Sequence, residues 1–222
     1  MTYFDDSQAT MILSWLPIGL DRSSIVFSNW LTLELQLNSN ILRDYGNNTY
    51  LQSLSSFMRP VLQDSSRSRW IRCWRAVSDG WDVYSTFHPQ CDNKGPTVTI
   101  VRVGSYIFGG YSDASWDSSN TYAYSSKAFL FSLYNTRGFK PIKLPLVRHQ
   151  QTAIYRVRSF GPVFGLLDMY ISNHASSNAY SHFRVYSYKV PPGCRYSSYC
   201  SFYTGNTHFK PSDIEVFYET TI

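Results

Sequence analysis

Charge is scarce in this sequence. Asp, Glu, Lys and Arg make up 16% of its 222 residues, where globular domains usually carry roughly 25%. No run of about 18 apolar residues occurs, so no helix is expected to span a membrane. The N-terminus carries Asp5 and Asp6 where a secretory leader would be basic. That predicts a cytoplasmic protein, or a secreted one if the N-terminus is incomplete. Cysteine is limited to Cys73, Cys91, Cys194 and Cys200, too few for a disulfide-built scaffold in a chain this long. Free thiols are the expectation, although Cys194 and Cys200 bracket a short loop and would pair in an oxidising compartment. No CxxC or HExxH motif exists and His88, His149, His174, His182 and His208 are scattered; a metal site would need long-range assembly. No GxSxG elbow is present, against hydrolase-type serine chemistry. No repeat of 20–50 residues recurs. The triplet Asn47-Asn48-Thr49 is a glycosylation sequon that matters only in a secreted protein.

What is abundant is apolar and aromatic. Hydrophobic residues reach 43% and aromatics 17%, with 18 Tyr, 14 Phe and 6 Trp. Such side chains suit half-buried pleated surfaces, so sheet is favoured and disorder over most of the chain is not. The net charge of +5 is mildly basic and permits weak attraction to acidic partners. Arg67, Arg69, Arg72 and Arg75 interleave with Trp70 and Trp74; without a nucleic-acid-binding motif beside them they read as one strand with two faces.

Residues 1–40 differ from the rest. Leu31, Leu33, Leu35 and Leu37 alternate with polar residues, a period-2 strand signal. Residues 41–62 predict a helix, with Leu51, Leu54, Phe57, Met58, Val61 and Leu62 near one face. Asn48 or Thr49 is the expected N-cap, and Pro60 should end or kink the helix near residue 58. Strands are predicted over 70–76, 97–103, 105–111, 127–134, 152–157, 163–172, 183–188 and 214–219. Gly104 and Ser105 turn the second into the third as a hairpin. The Ser/Asn/Tyr-rich stretches 112–126 and 173–182 read as surface loops. Many short strands at close spacing argue for a sandwich or barrel.

Several ordered blocks carry a family resemblance. They run from Ala76 through Asp79, Gly80 and Trp81 to Thr86-Phe87-His88, then from Cys91 to Ile100. Val103–Tyr111, Trp116 and Ala128–Leu133 follow, then Gly161–Gly165, Asp168–Ile171 and finally Ile214–Phe217. In this order they resemble the TLDc domain across about residues 40–219. The resemblance implies a mainly β (α+β) fold: a two-sheet antiparallel β-sandwich flanked by a few helices. The expected division is an N-terminal segment of unknown role, 1–40, and a TLDc-type domain, 41–222. It also implies a non-enzymatic interaction module, linked to oxidative-stress resistance and to binding the peripheral sector of the vacuolar proton pump. No cofactor, nucleic acid or membrane span is expected. Leu166 and Leu167 depart from the small or polar residues that many members place before this Asp, which puts a role for that loop in doubt.

Within these blocks the candidate interface or motif residues are Asp79, Gly80, Gly109, Gly110, Trp116, Gly165, Asp168 and Glu215. Asp92 to Pro96 is a turn, Gly95 permitting positive φ. Gly109 and Gly110 mark a bulge or a close backbone approach; a phosphate loop would want a Lys and a following helix. Trp116 either packs as a lid on the core or stands out as an interface anchor. Asp79, Asp168 and Glu215 are acids that would serve as a catalytic pair only if the fold brought two together. Glu215 should point away from Ile214 and Val216. Cys73, between Arg72 and Trp74, is a candidate redox thiol if exposed and a small core residue if not. Alternatives are a thiol-based antioxidant and a secreted, lectin-like recognition domain.

Overall fold

The computed structural model describes residues 37–44 and 48–221. The described residues form one compact unit. The alternation over residues 31–36 lies outside the described residues.

Two short helices come first, α1 (Asn40–Arg43) and α2 (Thr49–Met58), the latter running into a 3-10 turn over Arg59–Val61. Ser39 caps α1, its hydroxyl accepting the Leu42 N–H at 3.1 Å. α2 stops at Met58, two residues before Pro60, because a proline ring clashes with the preceding turn. Asn48 holds the N-cap position of α2, but its side chain makes no cap bond.

The strands follow: β1 (Ser68–Arg75), β2 (Thr97–Val103), β3 (Tyr106–Ser112), β4 (Tyr122–Ala123), β5 (Phe129–Tyr134), β6 (Ile142–Pro145), β7 (Ile154–Tyr155), β8 (Val163–Phe164), β9 (Met169–Tyr170), β10 (His182–Phe183) and β11 (Asp213–Thr221). Helices α3 (Ala76–Asp79) and α4 (Phe87–Cys91) lie between β1 and β2. The strands form two antiparallel sheets, one ordered β1-β11-β2-β3-β5-β6 and the other β10-β9-β8-β7-β4. The expected mainly β, two-sheet antiparallel architecture is therefore what the chain adopts.

The large sheet is buried on both faces. One face, with Val101, Phe108, Leu130, Ile214 and Val216, packs on Ile154, Phe164, Met169 and Phe183 of the small sheet. The other, with Val98, Ile100, Phe129, Phe131 and Phe217, packs on Leu37, Ile41, Leu54 and Met58. β1 serves both faces. Its register with β11 shifts between Arg72 and Trp74. An extra residue there reverses the facing of the side chains beyond it. Trp70 consequently enters the helix-side core and Trp74 the inter-sheet core.

Two predicted strands are corrected. Residues 163–172 form a hairpin, because Gly165 and Leu167 take φ of +64° and +67° and reverse the chain between β8 and β9. Of the stretch predicted over 183–188 only Phe183 lies in a strand, β10 beginning one residue earlier at His182, with isolated bridges at Arg184 and Tyr188. Inside the loop predicted over 112–126, Tyr122 and Ala123 pair with Tyr155 and Ile154.

Candidate interaction surface

Most of the motif residues are scaffolding. β3 crosses the middle of the large sheet, and Gly109 and Gly110 sit where nothing larger fits. A Cβ on Gly109 would lie 1.9 Å from the Thr99 carbonyl oxygen; one on Gly110 would lie 2.7 Å from the Phe164 ring. The close-approach reading of this pair is the one realised. Trp116 is 1% exposed. Its Nε1 donates to Thr97 Oγ1 at 3.0 Å, and its ring meets Phe87 and Phe164 edge-on at 6.0 and 5.7 Å. In the folded chain it is a core residue, not an exposed anchor. Gly110 and Trp116 thus converge on Phe164, whose neighbour Gly165 turns β8 towards Asp168.

Asp168 is 1% exposed. Its Oδ1 accepts the backbone N–H groups of Tyr186, Ser187 and Tyr188 at 2.8, 2.8 and 3.1 Å. Burial pushes this carboxyl above the usual carboxylate range, and the three amides work against that rise. The carboxylate anchors the 186–188 segment beneath the turn; the two leucines before it are only half-buried. Asp79 Oδ2 accepts the Arg75 N–H at 2.7 Å, and Gly80 closes α3 at φ +108° with its carbonyl accepting from Thr86 Oγ1 at 3.1 Å.

Glu215 faces away from Ile214 and Val216, as strand alternation requires, yet it is fully buried. It receives Ser39 Oγ at 2.5 Å, the Asn40 N–H at 3.0 Å and Arg72 Nη1 at 3.1 Å, with Arg75 Nε at 3.8 Å. Arg75 also pairs with Asp213 at 2.8 Å. Two arginines of the Arg/Trp strand are therefore engaged inside the fold. Asp79 and Glu215 meet Arg75 through its backbone N–H and its guanidinium respectively, and Asp168 is held elsewhere by Tyr186, Ser187 and Tyr188; no hydrogen bond joins two of the three carboxyl groups as an acid/base pair.

The free-thiol expectation is overturned. Cys73 bonds Cys91, with Cα atoms 5.3 Å apart, and Cys194 bonds Cys200 at 5.4 Å. Cys73 and Cys91 are 8% and 0% exposed. Cys73 therefore offers no thiol to an oxidant: on the face of β1 opposite Trp70 it meets Cys91 at the end of α4. This removes the free nucleophile that a thiol-antioxidant reading requires.

His88, Asp92 and Ser118 come nearest to a catalytic constellation. His88 Nδ1 lies 3.0 Å from both Asp92 Oδ1 and Ser118 Oγ, while Nε2 lies 2.9 Å from the Phe160 carbonyl oxygen. A carbonyl only accepts, so Nε2 carries a proton and donates it. Serine and aspartate meet the same ring nitrogen, whereas a relay places them on opposite ones. The cluster instead ties α4 to the loops after β3 and β7. Among the described residues, no group of three His, Cys, Asp or Glu is placed to hold a metal ion, and no helix is long and apolar enough to cross a membrane.

Among the described residues, several exposed tyrosines carry an arginine stacked on the ring. Arg148 lies over the Tyr196 ring at 4.1 Å, Arg184 over Tyr199 at 4.4 Å and Arg158 over Tyr84 at 5.8 Å. Tyr196, Tyr199 and Tyr84 are exposed. Motif spacing does not reveal these pairs, because each joins residues from different loops or strand ends. A signal does exist in the chain: from Ser118 to Ser212 there is one acid, Asp168, against eleven Lys and Arg.

Comparison with known proteins agrees with this architecture. The TLDc domain profile matches residues 43–219. The MTOR-associated protein MEAK7 of Danio rerio is 30% identical over 82 residues, 36% of this chain and 18% of that protein. The chain thus aligns with less than a fifth of that relative's length. With the profile match covering more than half of its residues, the chain belongs to the TLDc domain family.

Proposed function

We propose that this chain is a protein-binding module whose contact surface is the set of loops bearing its exposed tyrosines and arginines. The observation that carries this reading is a division of labour. The family-motif glycines, Trp116, Asp168 and Glu215 are consumed in packing, while Arg148 and Tyr196 stand exposed and pre-stacked and a half-buried Arg184 stacks on the exposed Tyr199. Tyr and Arg are enriched among residues that dominate binding energy, and stacking reduces the rotamer freedom lost on association. Family membership makes the peripheral sector of the vacuolar proton pump the first partner to try, with a role in oxidative-stress resistance downstream and a cytoplasmic location. The name of the Danio rerio relative records association with MTOR, which also favours a protein partner. The test is co-elution of the full chain with purified pump peripheral subunits at micromolar concentration. A shared peak is expected; separate elution removes the pump as partner.

A second reading is a recognition domain in an oxidising compartment. It is favoured by the pairing of all four cysteines, since structural disulfides persist where glutathione does not reduce them. Alkylation of the protein taken directly from its source, followed by intact mass, decides the matter. Four alkylated cysteines would sink this reading; none would support it.

A further inference from the structure

Four of the eleven cations between Ser118 and Ser212 lie on segments that the fold brings together. Arg137, Arg148, Lys189 and Arg195 are all exposed. Backbone pairing brings their segments together: Val147 and Arg148 both donate to the Ser187 carbonyl, at 2.9 and 3.0 Å, and Lys189 donates to the Pro145 carbonyl at 2.8 Å. Arg137 lies against Gly193, where a Cβ would meet its Cζ at 3.5 Å. The Cys194–Cys200 bond closes the loop carrying Arg195 and Tyr196. Among the described residues none of these four cations pairs with a carboxylate, whereas Arg67, Arg72, Arg75, Arg102 and Arg156 all do. Like charges held together without counterions raise a local potential that an anionic partner relieves.

We propose that this platform binds an acidic segment of a partner protein. Asp and Glu carboxylates would meet the guanidinium groups of Arg148, Arg195 and Arg137, and an apolar side chain would lie against Val147 and Tyr196, which are 49% and 39% exposed. The proposal rests on the binding-module reading and specifies its chemistry. Guanidinium groups match carboxylates two hydrogen bonds at a time, and a stacked, stapled arginine is already oriented for that. Nucleic acid fits less well, since strong electrostatic binders make roughly 6–10 phosphate contacts. A membrane fits less well too, since lasting attachment to a lipid surface normally adds an inserted apolar face or lipid chain to the basic patch.

The probe is a fluorescein-labelled peptide of mixed Asp and Glu around a central Leu, titrated with the full chain and read by anisotropy. The wild type is expected to bind, more weakly as salt rises. R148E/R195E should weaken binding by about tenfold or more, and R148Q/R195Q by less. R59E, on the helical side of the large sheet, should leave it unchanged. Thermal melts confirm that the variants fold. Undiminished peptide binding by R148E/R195E overturns the proposal, as does tighter wild-type binding to phosphatidylserine vesicles or to a single-stranded oligonucleotide. Co-elution with pump subunits that survives the reversals would also overturn the platform while leaving the module reading intact. Peptide binding without pump co-elution would uphold the platform and cost only the pump.

Discussion

Asp168 is a carboxylate buried without a cation beside it, held by three backbone N–H groups on one oxygen. Burial raises its pKa, so the folded chain keeps this proton at pH values where the unfolded chain has released it. Stability is then greatest below the ordinary carboxylate range and declines as pH rises through the raised value. Asp168→Asn retains an acceptor at Oδ1 and should remove that part of the pH dependence. Asp168→Ala orphans the three amides and is expected to cost about 2 kcal/mol or more. Urea unfolding across a pH series checks both; matching pH slopes in the wild type and the Asn variant would show that Asp168 does not titrate this way.

At the scale of elements, the first short helix is secured by the last strand. Ser39 and the Asn40 N–H reach Glu215, 176 and 175 residues away. Leu37 is buried with Ile41 in the helix-side core. We propose that the folded unit includes Leu37 to Asn40 rather than beginning at residue 41. A fragment spanning 41–222 loses two charge-assisted hydrogen bonds and a buried leucine, and should be about 3 kcal/mol or more less stable than 37–222. Comparing the two urea midpoints tests this, and coincident midpoints would place the boundary back at 41. The bulge in β1 belongs to the same scale. Strand alternation alone puts Trp70 and Trp74 on one face; one shifted register sends one of these two tryptophans into each core.

Across the described residues the large sheet is a middle layer, with helices against one face and the small sheet against the other. Local pattern determined a good deal of this. Runs rich in aromatic and β-branched residues marked β2, β3, β5 and β11, because each is long enough for its composition to show. Pro60 set the end of α2, and the blocks from Ala76 to Phe217 specified the family in order. Strands of two residues, such as β4 and β7, and helices of four or five, such as α3 and α4, are too short to carry a period. Local pattern also left open what Trp116, Glu215 and Cys73 do. A Trp in a polar loop, an acid in a strand and a Cys beside an arginine each have an exposed and a buried reading. Only long-range contacts choose between them: Thr97 and Phe164 for the first, Ser39 and Arg72 for the second, Cys91 for the third. The sequence by itself determined the family, the sheet-rich class and the excess of cations between Ser118 and Ser212. The tertiary structure alone decided which of those cations stand together without a carboxylate, because their neighbours arrive from loops that only chain folding brings side by side.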